Sequence, residues 1–480
     1  MCGIVGFIGQ EPIVYDLILG LTALQHRGQD AAGIITFDKM FHTKKGLGLV
    51  SNVFEQRHID RLRGNVGIGH VRYTTHGSNE LANAQPIATS YPFGIAMAHN
   101  GNITNFAEMN KVLYDEYHTL PTTTNDLELL LYAFASELKN KDLGNITPND
   151  IFDCVEVTQK RVLGAYSALA IIANHGLLAF CDPNGIRPMV LGKLETENGT
   201  RYGFASETVC FDHLGYQLIR NLEPGEMVFI DNNNQIHSRI GYQLTQHFCV
   251  FEFIYFARED SIIHKRLVAG QRVRMGRALA RQVREMGLKP DIIIDVPTSG
   301  YFAASGLAEV LGIPHHRGLV KSNYIGRSFI SPQQSEREAI VRRKLNPIAN
   351  TIKGKKVAVV DDSIVRGTTS RRIVQILREA GATEVYFISS APPIINPCIY
   401  GIDMSVTTEL IAAQKTTEEI RDYIGADAVI YQTLEDLQQI FNALPTCMAC
   451  LSGKYPTANP EIALKLIEQE RLEHKKGVTL

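Results

Sequence analysis

The sequence predicts two folded units of different class, an α+β unit up to about residue 245 and an α/β unit after it. Three observations carry this. Through residue 240 the chain is built from short alternating or apolar runs separated by turn residues, the spacing of antiparallel sheets. After residue 265 buried strand-like runs alternate with helix-period segments, the rhythm of a parallel sheet covered on both faces. At roughly one domain per 150 residues, the 480 residues are too many for a single core.

In the first unit the strand runs are GNVGIGHVRY, FGIAMAHNG, AYSALAIIANHGLLAFC, RYGFASE and GEMVFIDNNNQIHSR. Residues 12 to 26 and 125 to 139 interrupt them with apolar residues at three- and four-residue steps, which predicts helices packed on the sheets. In the second unit LVAGQRVRMGRALARQVREM reads as a helix, PDIIIDVP as a buried strand, YFAASGLAEVLG as a helix and IPHHRGLV as a strand. KKVAVVDD follows as a buried strand, TSRRIVQILREAG as a helix closed by Gly381, and EVYFISSAPP as a strand. Residues 321 to 346 are polar, basic and weakly periodic, and too long for a structureless loop, so they are expected to form a functional lid or a further helix. The chain ends in an amphipathic helix, PEIALKLIEQERLEHKK. The expected division is 2–245, 246–440 and a C-terminal segment 441–480.

Composition narrows the function classes. With 45% hydrophobic and 20% charged residues the chain folds into cores, and 48 Lys+Arg against 50 Asp+Glu leave a net charge of −2. No global basic field exists to attract nucleic acid or anionic lipid, so any phosphate site must be local. No Lys or Arg precedes Arg27, Glu11 and Asp16 break the early apolar residues, and no run of about 18 apolar residues occurs. A cytoplasmic protein, with neither a nucleic-acid nor a membrane partner, is expected.

Eight cysteines are too few for a disulfide scaffold of this length. Cys154, Cys181 and Cys210 lie in apolar runs and read as inert buried thiols. Cys2 is different, because removal of Met1, which a small second residue permits, leaves a thiol and a free α-amine on one residue. An α-amine with a pKa of ~7.7–8.0 can take the thiol proton and return it to a departing amine.

The blocks CGIVGFIG, HRGQDAAG (26–33), HVRYTTHG (70–77), AHNGNITN (98–105) and TNDLELLL (124–131) together resemble the glutamine amidotransferase domain of the N-terminal-nucleophile hydrolases. That resemblance implies an αββα sandwich with Cys2 as nucleophile and with the Asn100 side chain and Gly101 N–H as the oxyanion hole. It further implies Arg72 on the substrate α-carboxylate, Asp126 on the α-ammonium, and Arg27 and Tyr73 as positioning groups in the glutamine pocket.

KKVAVVDDSIVRGTTSRR (355–372) is a strand, two acids, a Gly/Thr/Ser turn and a helix start, and it resembles the phosphoribosyl-pyrophosphate (PRPP) signature of type I phosphoribosyltransferases. The turn can aim N–H groups, hydroxyls and a helix N-terminus at a 5'-phosphate, through Ser363, Arg366, Gly367, Thr368 and Thr369. Asp361 and Asp362, at the strand's carboxyl end, can accept hydrogen bonds from ribose hydroxyls. Lys344 lies where a loop lysine of the family meets pyrophosphate. Mg2+, with Asp361 and Asp362 as potential ligands, is implied by the pyrophosphate leaving group. Two residues depart from the family pattern: Thr298 stands where an acid is usual in DVPTSG, and Glu259 where Pro is common in FAREDS.

Both halves in this order resemble the glutamine PRPP amidotransferase family, which joins ammonia from glutamine to C1 of PRPP in purine synthesis. GIRPMVLG, ASET, LEPGE and YIGRSFI fall in register with it. Membership implies glutamine and PRPP as substrates, purine nucleotides as feedback inhibitors and a homo-oligomer, a tetramer in the family. Cys249, Cys398, Cys447 and Cys450 match the positions that hold a 4Fe-4S cluster in one subgroup; by spacing alone four such thiols equally suit a structural zinc. A noncatalytic PRPP-binding regulator is the competing class, and the complete Cys2 set and neutral net charge argue against it.

Overall fold

The computed structural model describes residues 1–73, 80–321, 345–404 and 406–475. Lys344 and almost all of the 321–346 stretch lie outside the described residues. The ends of that stretch meet in a short antiparallel pair, Leu319–Lys321 with Leu345–Pro347.

The first half folds as two antiparallel sheets. One runs, edge to edge, Gln217–Asn221, Val190–Thr196, Gly199–Ala205, Gly3–Ile8, Val66–Arg72, Ala31–Phe37 and Phe41–Leu47. The other runs Ile236–Ile240, Glu226–Asp231, Gly176–Cys181, Gly164–Ile172, Ile95–Ile103 and Ile87–Thr89. Strand alternation assigns the faces. Ile4 and Ile8 point into the inter-sheet core with Ile68, Ala96, Leu169 and Leu177, whereas Val5 and Phe7 point out to a helix core with Leu17 and Leu21. Over the second sheet, Met97, Ala168 and Ala170 meet Leu130, Phe134, Phe152 and Val155 of the covering helices. The result is the αββα layering that the resemblance implies.

The expected helices appear as Val14–Ala23 and Leu127–Leu138. The structure adds Phe106–Asp115 and Pro148–Arg161. The latter carried a start signal, since Thr147 and Asp150 form a reciprocal capping box with Pro148 in the first turn.

The second half holds a parallel sheet in the order Ile292–Asp295, Lys356–Asp361, Glu384–Ser389 and Ala428–Tyr431. Ile292, Ile294, Val357, Val359 and Phe387 pack on one face against Ile373, Leu377 and Ile420. Ile293, Ala358, Val360 and Ile388 pack on the other against Leu279, Val283, Ala304 and Leu307. IPHHRGLV, expected as a full strand, contributes only a bridge from His315 to Ile293 and the short Leu319–Lys321 piece. Its polar and prolyl residues leave too few apolar positions for a buried central strand. Ala428–Tyr431 takes the far edge, which sequence reading missed.

A further core joins the halves. Met1, Ala165 and Ile186 from the first half pack with Phe248, Phe253, Ile399, Tyr400 and Phe441 from the second, and the four cysteines 249, 398, 447 and 450 lie in the same cluster. Among the described residues no helix is long and apolar enough to cross a membrane.

Candidate active site

The first site is built where the two antiparallel sheets face each other. Gly3 pairs with Val71, so Cys2 stands at the end of its strand beside Arg72. Asn100, from the facing sheet, receives the Cys2 backbone N–H on Oδ1 at 3.3 Å. The Cys2 thiol lies 3.7 Å from the carbonyl oxygen of Tyr73. Asn100 Nδ2 is buried and finds no hydrogen-bond partner among the described residues. An unmet buried donor is costly, and here it belongs to the side chain whose oxygen accepts the Cys2 N–H. Gly101 follows in a strand packed so closely on Ala165 and Tyr166 that a Cβ would collide with their backbone. Its own carbonyl lies 2.7 Å from where a Cβ on Gly401 would sit, so the second half reaches this strand directly. Asn102 Nδ2 also donates to the Ile399 carbonyl at 2.9 Å.

Arg72 lies near enough to Cys2 and Asp126 for their charges to interact. Arg72 is buried, and burial pulls its pKa down against the opposing charges of Cys2, Asp126 and Asp30. Asp126 Oδ2 is fixed by the Ile103 N–H at 3.0 Å and by His99 Nε2 at 3.2 Å. The side-chain nitrogen of Gln85 donates to His99 Nδ1 at 2.9 Å, which leaves the ring proton on Nε2, directed at Asp126.

Arg27 has partners that sequence reading did not foresee. Its Nε donates to the Cys2 carbonyl at 2.9 Å, and its two terminal nitrogens reach Glu207 at 2.5 Å and Glu252 at 2.8 and 2.9 Å. Burial alone would lower the Arg27 pKa, but the two carboxylates overturn that and raise it. Burial likewise would raise Glu207, and the charges of His26 and Arg27 hold it well below the ordinary range. Arg27 therefore meets Cys2 through the main chain. Glu207, Glu252 and Arg187 were not singled out from sequence; the signal was Glu252 inside the apolar run FCVFEFIYF. Met1 is 1% exposed, its sulfur against Arg187 Nη1 at 2.6 Å, so the chain with Met1 in place keeps the Cys2 nitrogen in a peptide bond.

The second site lies at the carboxyl end of the strand Lys356–Asp361. Asp361 Oδ1 accepts from Ser299 Oγ at 3.0 Å and from the Asp362 N–H at 2.9 Å. Ser363 Oγ donates to Asp362 Oδ1 at 2.5 Å. Burial raises both acids, and the neighbouring Asp362 charge raises Asp361 further. Gly367 has φ +74 and opens the helix Thr368–Glu379, whose first N–H groups carry the partial positive charge of a helix start. Thr368 and Thr369 are exposed on that first turn, and Arg366 pairs with Glu409 at 2.9 Å. Thr298 sits in the loop above Asp361, between Val296, whose N–H reaches the Val360 carbonyl at 2.9 Å, and Ser299. Glu259 places a carboxylate 4.0 Å from Arg272.

The four remaining cysteines are buried and come from distant segments. Cys249 pairs in register with Cys447, and each of Cys249, Cys447 and Cys450 feels the charge of Cys398. Burial pushes Cys249 up to about 12 and raises Cys447 and Cys450 further. Among the described residues no three His, Cys, Asp or Glu side chains are arranged to hold a metal ion.

Comparison with known proteins agrees with both halves. Residues 70–213 match the model of the glutamine amidotransferase domain, and residues 267–393 that of the phosphoribosyl transferase domain. The chain is 48% identical to an amidophosphoribosyltransferase of Escherichia coli over 443 residues, covering 91% of this chain and 88% of that protein. It is 45% identical to an amidophosphoribosyltransferase of Pseudomonas aeruginosa, covering 99% of this chain and 97% of that protein. Among solved structures, the glutamine PRPP amidotransferase from B. subtilis complexed with ADP and GMP superposes with a TM-score of 0.84 at 39% identity, over 95% of this chain and 97% of that one.

Proposed function

From the premise that this chain belongs to the amidophosphoribosyltransferase family, we propose that its two sites divide one reaction, Cys2 releasing ammonia from glutamine and Asp361 and Asp362 holding PRPP for its attack. The chain is a glutamine-dependent transferase that aminates PRPP in purine biosynthesis. What supports the residue assignment is the contact of the Cys2 N–H with Asn100 Oδ1, the Asn100 amide nitrogen being buried and without a hydrogen-bond partner among the described residues.

Once Met1 is removed, the Cys2 amine takes the thiol proton and the thiolate attacks the amide carbon of glutamine. Charge develops on the carbonyl oxygen, and Asn100 Nδ2 and the Gly101 N–H receive it. The amine returns the proton to the departing nitrogen, and water releases glutamate from the thioester. Arg72 and Asp126 hold the two ends of the amino acid, Asp126 itself being held by His99. At the second site the turn 363–369 binds the 5'-phosphate while Asp361 and Asp362 accept the ribose hydroxyls. Ammonia then displaces pyrophosphate at C1. Asp361 and Asp362, two adjacent buried carboxylates, would suit a Mg2+ accompanying PRPP, which would neutralise charge developing on the departing pyrophosphate.

Cys249, Cys398, Cys447 and Cys450 are assigned to a 4Fe-4S cluster. The donor chemistry fits, being four buried cysteines gathered in one core, and burial keeps Cys249, Cys447 and Cys450 protonated unless a cation stabilises the thiolate. Such a cluster supplies a structural cross-link between three segments, with zinc as the alternative that metal analysis decides. Feedback by purine nucleotides, for which the ADP and GMP bound by the B. subtilis protein are the support, and a homo-oligomeric assembly belong to the same proposal. The function is tested by following phosphoribosylamine formation with glutamine and with ammonia as nitrogen source; a purified protein that uses neither refutes it.

A further inference from the structure

Arg27, Arg187, Glu207 and Glu252 form a buried cluster in which all four side chains are withdrawn from solvent and two positive charges balance two negative ones. Glu252 belongs to the second half of the chain, where it opens the π-helical turn Glu252–Phe256. Its two oxygens accept from Arg27 at 2.8 and 2.9 Å, the two-pronged arrangement that fixes a guanidinium in plane and rotation. Held this way, Arg27 directs Nε at the Cys2 carbonyl at 2.9 Å. The turn carrying Glu252 is fastened in its own right. Arg272, buried on the helix Val268–Glu285, donates to the carbonyls of Phe253, Tyr255 and Ala257 at 2.9, 3.0 and 2.8 Å. Arg272 is near enough to Asp362 for their charges to interact.

We infer that Glu252 is a positioning residue for glutamine hydrolysis: it sets the Cys2 main chain through Arg27, so the nucleophile is aligned by a carboxylate that the phosphoribosyl half supplies. This rests on the assignment of Cys2 as nucleophile. A displacement of about 1 Å at a reacting atom can cost on the order of 100-fold in rate, and the Cys2 carbonyl carbon is bonded to Cα, which carries the amine directly and the thiol through Cβ. Glu252 touches neither Arg72 nor Asp126 in any hydrogen bond described above, so its loss should act on turnover and leave glutamine affinity in place.

The test uses the full-length enzyme and two variants. Glu252→Gln keeps the shape and removes the charge; it should lower the glutaminase kcat at least tenfold, with the glutamine KM and the ammonia-dependent rate each within twofold of the parent. Glu252→Asp keeps the buried charge but is too short to engage both guanidinium nitrogens, and it should show a smaller fall in kcat with the same KM. It also carries the test should Glu252→Gln not fold. An unchanged kcat in a folded variant overturns the inference, as does a parallel fall in the glutamine- and ammonia-dependent rates. Failure of both variants to fold assigns Glu252 to stability alone and overturns it too. A wrong nucleophile would be seen separately, as glutaminase activity surviving in Cys2→Ala with Glu252 intact.

Discussion

Asn100 accepts the Cys2 N–H on its oxygen at 3.3 Å and keeps its amide nitrogen buried, without a hydrogen-bond partner among the described residues. Such a donor costs the folded state about 1–3 kcal/mol, and it is repaired only when negative charge forms on an oxygen placed against it. Asn100→Ala should therefore lower glutamine-dependent turnover about 10²–10³-fold, while Cys2→Ala abolishes it. Both should keep ammonia-dependent synthesis. Assays with the two nitrogen sources decide, and a Cys2→Ala protein that still hydrolyses glutamine would remove the N-terminal-nucleophile assignment.

Asp361 and Asp362 crowd two carboxylates into one buried corner, where burial and the Asp362 charge raise Asp361. Neutralising one relieves the repulsion. Asp361→Asn should leave the melting temperature equal or higher and cut PRPP-dependent turnover on the order of 100-fold, with glutamine hydrolysis far less affected. Equal loss of both activities would contradict the division of labour.

Protein purified without oxygen should carry about four irons per chain, as four thiolates around one cluster imply. Cys450→Ser should lose iron and melt at lower temperature, because the ligands staple segments near 249, 398 and 447 together. Stoichiometric zinc without iron would replace the cluster by a single ion.

Gly401 has φ +92 and no room for a side chain, since a Cβ would stand 2.7 Å from the Gly101 carbonyl. Gly401→Ala should cost roughly 1–3 kcal/mol of stability and displace the strand that carries Asn100 and Gly101. The glutamine-dependent rate should fall more than the ammonia-dependent one; thermal unfolding and the two assays read the result.

His264 is held down to about 4 by burial and, secondarily, by the charge of Arg266. Its ring stands edge-on to Phe248 at 5.1 Å. Between pH 6.5 and 4 the unfolded chain binds a proton there that the folded chain refuses, so this contribution is complete above pH 6.5 and is lost as pH falls, at about 1.4 kcal/mol per unit. His264→Leu should flatten that limb of the stability curve. An unchanged acid limb would show that other groups govern it.

Much of this was legible from sequence because the chemistry is written locally. Cys2, Asn100-Gly101 and Asp361-Asp362 sit within short blocks whose turns and strands follow from their own residues. What escaped was nonlocal. Glu207 and Glu252 read as ordinary acids until folding brings them to Arg27 from 180 and 225 positions away. IPHHRGLV read as a strand because its ends are apolar, yet its polar and prolyl middle leaves it one bridge to the parallel sheet and the short Leu319–Lys321 piece. The helix Pro148–Arg161 was passed over although Thr147 announced its start.

The buried cluster also bears on how such chains diverge. Arg27 and Glu207 lie before the last strand of the antiparallel sheets and Glu252 after it, so a crossover between Glu207 and Glu252 mixes halves with different histories. A hybrid that inherits Arg27, Arg187 and Glu207 without Glu252 leaves two buried guanidiniums facing one carboxylate, an unbalanced interior charge that costs about 3–5 kcal/mol. That is a large share of the 5–15 kcal/mol that holds a domain folded. The two modules resemble interchangeable cassettes in outline, but this cluster makes them co-inherited: a glutaminase module transplanted onto a foreign partner must bring, or acquire, the matching acid before selection on activity can begin.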